Sequence, residues 1–255
     1  MPFTFYQLST INYQLSTINY QLSIINYQLS IINYQLSIIN YQLSIIKIMS
    51  RFTWLLDNGH GGVSNGKYLT DGKQSPVWDD GSVLYEGEFN RAVVNRLAEM
   101  LTAAKINYVK IAPQDIDTLL QERCVRVLRW TKEYPCIFLS IHANYGDGKG
   151  TAKGWEVWTT KGQSQSDKVA SVFYGVFKAD IKNVTMRGDW EDGDCDREED
   201  FYVLKNTSCP AILTENFFMD NLYECNNYLM SSAGRNWIAQ KHFEAIVKIE
   251  AEGIN

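Results

Sequence analysis

Beyond residue 50, the hydrophobic and polar positions alternate between a period typical of strands and a period typical of helices. Five short and largely apolar runs predict strands at 52–57, 108–112, 136–141, 155–159 and 209–214. Longer segments with apolar residues at helical spacing predict helices at 86–104, 116–133 and 164–179, with one or two more after the last strand. The Gly- and Asp-rich residues 58–85 are predicted to be a loop. Strands that alternate with helices predict an α/β fold, a single domain with a mostly parallel central sheet flanked by helices.

The N-terminal segment has a different pattern, a heptapeptide repeated almost unchanged. Leu8 and Ile11 have the spacing of coiled-coil a and d positions, but the flanking positions carry no charges, and Lys47 is the only charged residue among the first fifty. The repeat also alternates as a strand does, and uncharged, β-prone repeats tend to aggregate. We therefore interpret residues 1–48 as a low-complexity segment translated from upstream sequence, with Met49 as the true start. N-terminal sequencing of the native protein tests this, and a product that retains the segment contradicts it.

Composition narrows the class of protein. The 255 residues are 45% hydrophobic, which is enough for one well-packed domain. A net charge of −5 without a basic stripe argues against a nucleic acid partner. Five cysteines without a Cys-x-x-Cys pair argue against a disulfide framework or a cysteine-rich zinc site, and they indicate a reducing compartment. The sequence has neither a run of about 18 apolar residues for a membrane span nor the pattern of a standard secretory signal.

Three predicted strands end in residues that can carry chemistry. His60 follows the first strand within Asn-Gly-His-Gly-Gly, His142 closes the third, and Glu215 follows the last. Open α/β sheets gather their binding and catalytic groups at the carboxyl ends of strands. Taken singly, His60 also fits a turn without function, and His142 a hydrogen-bonded core position. Glu215 is harder to explain, because an ionised carboxylate after so apolar a strand costs free energy unless it is paired or close to a metal.

Two carboxylates open the predicted helix at 86–104. Glu86 and Glu88 both suit the positive end of the helix dipole, which explains one acidic residue without any function. We choose Glu86 as the candidate ligand and expect Glu88 to face solvent. Two histidines and a glutamate are three of the four ligands of a catalytic zinc, with water as the fourth. This set, with Glu215 as a general base, is typical of a hydrolase.

Four segments in this order resemble the zinc-dependent N-acetylmuramoyl-L-alanine amidases, a family that includes cell-division amidases and many phage endolysins. They are residues 56–62, 86–90, 140–144 and 213–221. The resemblance extends over about residues 52–250 and implies a zinc ion held by His60, Glu86 and His142, with Glu215 as the catalytic glutamate. It also implies hydrolysis of the amide that joins the lactyl group of N-acetylmuramic acid to the L-alanine of the stem peptide in peptidoglycan.

The chain departs from the family pattern in two places. The family more often has Asp-Pro-Gly-His where Asn58 precedes Gly59 and His60, and it usually has glycine after the catalytic glutamate, where Asn216 and Phe217 stand. Neither change removes a ligand, but both bear on the substrate groove. Two alternative functions stay open. One is a zinc peptidase or carboxypeptidase that acts on stem peptides, and the other is a non-catalytic protein that binds the cell wall.

Further expectations concern location and the remaining polar residues. We expect a cytoplasmic monomer that reaches the cell wall after release, as a phage or prophage lysin does, with secretion as the alternative. His242, on the inner side of a late helix, is expected to be structural. The acidic residues 189–196 resemble a calcium loop, but Arg197 and Val203 replace its glycine and its bidentate glutamate, so an EF-hand is rejected.

Overall fold

The computed structural model describes residues 5–45, 50–179 and 185–254. The chain divides into two units, Met1–Lys47 and Ile48–Asn255, and the first contains helix α1 (Phe5–Ile45). The repeat alternates as a strand does, but it forms a helix. The repeat contains neither proline nor glycine, and its Gln and Leu are good helix formers. The leucines whose side chains are described lie about half exposed: Leu15, Leu22 and Leu29.

Among its described residues, the second unit contains eight strands, which in chain order are β1 (Thr53–Asn58), β2 (Val63–Ser64), β3 (Lys67–Tyr68), β4 (Tyr108–Lys110), β5 (Cys136–Asn144), β6 (Trp155–Thr159), β7 (Arg197–Glu198) and β8 (Ala211–Phe218). Six of them form a sheet in the order β4-β1-β5-β8-β6-β7, and β2 pairs with β3 in a hairpin. All neighbours in the sheet are parallel except β6 and β8. The predicted mostly parallel sheet is confirmed, whereas the hairpin lies in the segment predicted to be a loop.

Helices cover both faces of this sheet, and they are α2 (Glu86–Ala104), α3 (Leu120–Thr131), α4 (Gln165–Ala179), α5 (Tyr202–Lys205), α6 (Leu222–Glu224) and α7 (Ser232–Glu252), with a π-helical turn at Cys225–Met230. Leu56 belongs to the core formed with α2, α4 and α7, and Leu55 to the core formed with α3 and α5. Successive strand residues point to opposite faces, so strands covered on both sides are apolar without alternation. The predicted α/β fold is confirmed. No helix within the described ranges is long and apolar enough to cross a membrane.

The pairing of three strands positions the candidate site. His142 on β5 stands opposite Glu215 on β8, and Glu215 stands opposite Glu156 on β6. Residues paired across a ladder point to the same face, so these three side chains form one row, on the face that α3 and α5 cover. Gly59, just after β1, donates its N–H to the carbonyl oxygen of Ile141 at 3.2 Å. This bond brings the next residue, His60, to the same edge of the sheet.

His242 lies away from that row, in the core on the opposite face of the sheet. Its Nε2 is 3.0 Å from Oγ1 of Thr214, and its Nδ1 is 2.8 Å from the carbonyl oxygen of Ile238. Burial lowers the pKa of His242 to about 4, so its imidazole is neutral at pH 7. Its position is structural, as the sequence predicts.

Candidate metal centre

The loop after β1 presents His60 in a backbone conformation that side chains rarely adopt. His60 has a φ of 66°, in the left-handed region. Gly59 beside it lies so close to His142 that a Cβ there would overlap the imidazole ring. A Cβ on Gly87, in the first turn of α2, would likewise overlap the carbonyl oxygen of Gly61. The two glycines therefore allow the loop, the helix and β5 to meet at one point.

Glu86, the first residue of α2, lies between the two histidines and is 3% exposed. Its Oε2 is 3.2 Å from Nε2 of His60, and its Oε1 is 2.9 Å from Nδ1 of His142. Burial raises the pKa of Glu86, but the hydrogen bonds and charges of the two histidines outweigh burial and hold this pKa well below its ordinary value. Asn90, one turn later, donates to the carbonyl oxygen of Gly59 at 3.0 Å and so connects the helix to the loop.

The structure brings the three predicted ligands together. The donor atoms of His60, Glu86 and His142 all lie within 4.8 Å of one another. Among the described residues, they form the one group of at least three histidine, cysteine, aspartate or glutamate side chains with such spacing. Glu88, expected to face solvent, is partly exposed and forms a bidentate ion pair with Arg235, with both contacts at 2.7 Å.

Glu215 completes the site beside His142. Its Oε2 is buried and has no hydrogen-bond partner among the described residues. Burial, together with the negative charges of Glu86 and Glu156, raises the pKa of Glu215 well above its ordinary value. A carboxyl group in such surroundings takes up a proton readily and gives it up when a positive charge is nearby, which is the behaviour required of a general base and acid.

A buried ion pair supports the loop that carries His60. Arg123 on α3 and Asp57 on β1 are each 2% exposed, and Nη1 of Arg123 lies 2.5 Å from Oδ1 of Asp57. The same guanidinium donates to the carbonyl oxygens of Asn58 at 2.8 Å and His60 at 3.4 Å. Ser140 on β5 donates to the other oxygen of Asp57 at 2.7 Å. One arginine therefore connects a helix, a strand end and the loop that presents a candidate ligand.

Two supporting elements were not expected from the sequence. One is the buried Arg123. The sequence indicates its burial only through its position on α3, one turn before the core residue Val127 and on the same side of the helix. The hairpin β2–β3 carries Tyr68, whose hydroxyl accepts from the N–H of Gly87 at 3.0 Å, and burial raises the pKa of Tyr68 to about 12. A segment predicted to be a loop thus fixes the start of α2.

A cavity of about 140 Å³ opens beside the two histidines. Its lining includes His60, His142, Leu120, Phe201, Tyr202 and Val203. This volume is smaller than the roughly 300–1,000 Å³ of a typical ligand pocket, so the cavity accounts for a space beside the histidines and not for a whole substrate site. His142 belongs both to the row of ionisable residues and to the lining of this cavity.

Residues 55–248 match a family model described as N-acetylmuramoyl-L-alanine amidase. The chain belongs to this family. The chain is also 29% identical over 201 residues to an endolysin of Bacillus phage SPP1. The match spans 79% of this chain and 66% of the endolysin. The predicted family is confirmed, and the residues matched lie within the predicted extent of the resemblance.

Solved amidase structures share the fold. The N-acetylmuramoyl-L-alanine amidase AmiC2 of Nostoc punctiforme is 25% identical with a TM-score of 0.62, and the similarity covers 80% of this chain and 99% of that chain. An N-acetylmuramoyl-L-alanine amidase from Clostridium difficile 630 is 24% identical with a TM-score of 0.64, again over 80% of this chain and 99% of that chain. These structures confirm the architecture of a single α/β amidase domain.

The two residues that depart from the amidase pattern after the candidate base are both buried. Asn216 is buried, and its Nδ2 donates to the carbonyl oxygen of His142 at 2.9 Å while its Oδ1 accepts from Nε1 of Trp155 at 2.9 Å. Phe217 has a φ of 65°, a conformation that glycine adopts at lower cost. Its ring stacks on Tyr228 with the centroids 4.2 Å apart, which offsets part of that cost.

We expect Arg123→Gln to lower the free energy of unfolding by about 3–5 kcal/mol, because it leaves the carboxylate of Asp57 buried without its cation. Arg129→Gln, at an exposed position of the same helix, makes the same change in charge, and we expect it to cost less than about 0.5 kcal/mol. Urea unfolding of the two variants measures the difference. Equal losses of stability in both variants would show that Arg123 does not support the loop.

Proposed function

We propose that the chain is a zinc-dependent hydrolase that cleaves the amide between the lactyl group of N-acetylmuramic acid and the L-alanine of the stem peptide. The observation that carries this proposal is the convergence of His60, Glu86 and His142, whose donor atoms lie within 4.8 Å of one another, beside Glu215. Family membership favours this amide over the peptide bonds that a stem-peptide peptidase cleaves. The presence of all four side chains favours an enzyme over a wall-binding protein without activity.

The three donors suit zinc in number, kind and spacing. Two imidazole nitrogens and a carboxylate oxygen are a recurrent set at catalytic zinc sites, which keep a fourth position open. Ligand atoms of a tetrahedral zinc lie roughly 3.3 Å apart, and Glu86 lies 2.9 and 3.2 Å from the two histidine nitrogens. The low pKa of Glu86 keeps it ionised, as a metal ligand must be. When bound, zinc supplies a Lewis acid that lowers the pKa of a water molecule and polarises a carbonyl group.

Glu215 supplies the proton transfer in this proposal. It stands opposite His142 in the ladder and holds a buried oxygen without a partner among the described residues. We assign it the role of accepting a proton from the attacking water and returning the proton to the departing nitrogen of L-alanine. Its raised pKa favours the second half of this transfer, because the protonated carboxyl group is then the donor.

We also propose that the protein acts as a monomer on the peptidoglycan of the cell wall, after release from the cell that makes it. The similarity to an endolysin of Bacillus phage SPP1 supports the place of action. The composition of the candidate site supports a monomer, because one chain supplies all three candidate ligands and the candidate base.

We propose further that residues 49–255 form the catalytic domain and that residues 1–48 take no part in the reaction. The segment that matches the family, 55–248, lies wholly within the proposed domain. We expect a chain that begins at Met49 to keep its kcat/KM on purified peptidoglycan within about twofold of the value for the full chain. A loss of about tenfold or more on deletion would contradict this division.

Glu215→Gln separates metal binding from proton transfer. We expect this variant to keep its zinc and to lose about 10²–10⁴-fold in kcat, because a glutamine amide cannot accept the proton of water. Atomic absorption measures the metal content, and the release of peptides from purified peptidoglycan measures the activity. Turnover at the native rate would refute the role assigned to Glu215.

Two substitutions on α2 are the controls for that experiment. Glu86→Gln replaces a charged ligand with a neutral amide, so zinc and activity should be lost together. Glu88→Gln makes the same chemical change in a residue that pairs with Arg235, so zinc and activity should both be kept. Glu86→Gln that holds zinc as tightly as Glu88→Gln would contradict the ligand assignment.

A further inference from the structure

A second cluster of charged residues extends the row beyond Glu215. Glu156 stands opposite Glu215 in the antiparallel pair of β6 and β8, where paired Cα atoms lie roughly 4.5–5.5 Å apart. Glu156 is buried, and both of its oxygens are engaged. Oε1 accepts from Nε of Arg187. Oε2 accepts from Nδ2 of Asn144 at 3.2 Å and from Nε1 of Trp158 at 3.0 Å.

A second arginine, Arg197 on β7, approaches the same carboxylate. Its Nε lies 3.9 Å from Oε2 of Glu156, which is too far for a hydrogen bond. Both guanidinium groups lie over aromatic rings. The Cζ of Arg197 is 4.8 Å from the ring centroid of Trp158, and that of Arg187 is 5.1 Å from the ring centroid of Phe218. Ring contacts of this kind hold a guanidinium in place without using its N–H donors.

The outer nitrogens of the two arginines are available to a ligand. The side chains of Arg187 and Arg197 are 35% and 32% exposed. Apart from the bond between Arg187 and Glu156, neither guanidinium donates a hydrogen bond to a residue in the described part of the chain. The two guanidinium groups lie beside two neighbouring carboxylates, Glu156 and Glu215, so a further anion would be bound by the free N–H donors of the arginines rather than by an excess of positive charge. The planar fork of an arginine matches a carboxylate in geometry and charge.

We propose that Arg187 and Arg197 form a subsite that binds a carboxylate of the stem peptide, about one or two residues beyond the L-alanine whose amide is cleaved. This subsite rests on the proposed function. An extended peptide advances roughly 3.3 Å per residue, and neighbouring strands lie roughly 4.7–4.9 Å apart, so the step from Glu215 on β8 to Glu156 on β6 corresponds to about one or two residues of peptide. Glu156 is then a positioning residue, because it holds the two arginines and does not contact the substrate.

The chemistry of the stem peptide provides the probe. The residue after L-alanine is a glutamate whose α-carboxyl group is free in some cell walls and amidated in others. Two synthetic muramyl peptides that differ only there contain L-alanyl-D-glutamate or L-alanyl-D-isoglutamine, each with its γ-carboxyl group capped as a methylamide so that the amide form has no free carboxylate. We expect the zinc-loaded protein to prefer the acid over the amide by about tenfold in kcat/KM, mainly through KM, since a charge-assisted hydrogen bond is lost with the amide.

Arg197→Gln is the decisive variant, because this side chain gives up no hydrogen bond to a described residue and the fold should be kept. We expect it to remove the preference for the acid, because kcat/KM on the acid falls to about the value for the amide. Arg129→Gln makes the same change in charge at an exposed position on α3 and should keep the preference. Arg187→Lys keeps a positive charge beside Glu156 but loses the planar guanidinium group, so this variant should lose part of the preference for the acid.

Binding without turnover separates the subsite from the proposed function. In an NMR titration with the two free dipeptides, capped in the same way, tighter binding of the acid than of the amide supports the subsite if Arg197→Gln removes the difference. This result supports the subsite even if neither muramyl peptide is cleaved. Failure to cleave either peptide would count against the proposed function alone. Equal cleavage of both by the native protein, equal slowing of both by Arg197→Gln, or equal binding of the dipeptides would overturn the subsite. Equal slowing is the result expected if the arginines only neutralise Glu156.

Discussion

The buried carboxylate of Glu86 is the interaction on which the candidate site depends. It lies in the first turn of α2 and contacts His60, which follows β1, and His142, which lies near the end of the neighbouring parallel strand β5. An ionised carboxylate is costly to bury unless it is paired and hydrogen-bonded. The start of the helix, the loop after β1 and the end of β5 are therefore held in one arrangement. That arrangement also gathers the donors that a metal requires, so a single pairing connects the fold to the proposed chemistry.

The contacts around Glu86 restrict its geometry from three directions. Gly59 and Gly87 permit the close approach of loop, helix and strand, which a Cβ at either position would prevent. Arg123 holds the loop from the α3 side through the carboxylate of Asp57 and two backbone carbonyls. The hairpin holds the first turn of α2 through Tyr68. A site braced in this way keeps its donors in place before any substrate arrives, which is what a preorganised catalytic site requires.

The four candidate residues were predictable because the sequence pattern changes at each of them. His60, His142 and Glu215 follow apolar runs, and the carboxyl ends of parallel strands meet at one edge of a sheet. The strands themselves continue past two of these residues, to Asn144 in β5 and to Phe218 in β8. Glu86 opens a helix whose apolar spacing predicted the observed bounds of α2. The face of the sheet that carries the site is set by the register of the strands. Register depends on how distant strands pair, so it cannot be predicted from the local sequence pattern of one strand.

Other features depend on contacts between distant parts of the chain or on very short segments. The burial of Arg123 depends on Asp57, 66 residues earlier, and on its own the arginine belongs to an ordinary amphipathic helix. Strand β7 has two residues, too few for a periodic pattern. The N-terminal repeat fits both a heptad and a strand-like alternation, so its period alone does not distinguish a helix from a strand.

Mass analysis of peptidoglycan digested by the zinc-loaded protein tests the central claim most directly, because it identifies the bond that is cleaved. We predict intact stem peptides with a free amino group on L-alanine, together with glycan strands whose lactyl groups end in a free carboxylate. Both products should disappear when a chelator removes the metal and return when zinc is added. Stem peptides cleaved between their amino acids, or the same products in the presence of chelator, would contradict the assignment of this site as a zinc-dependent amidase.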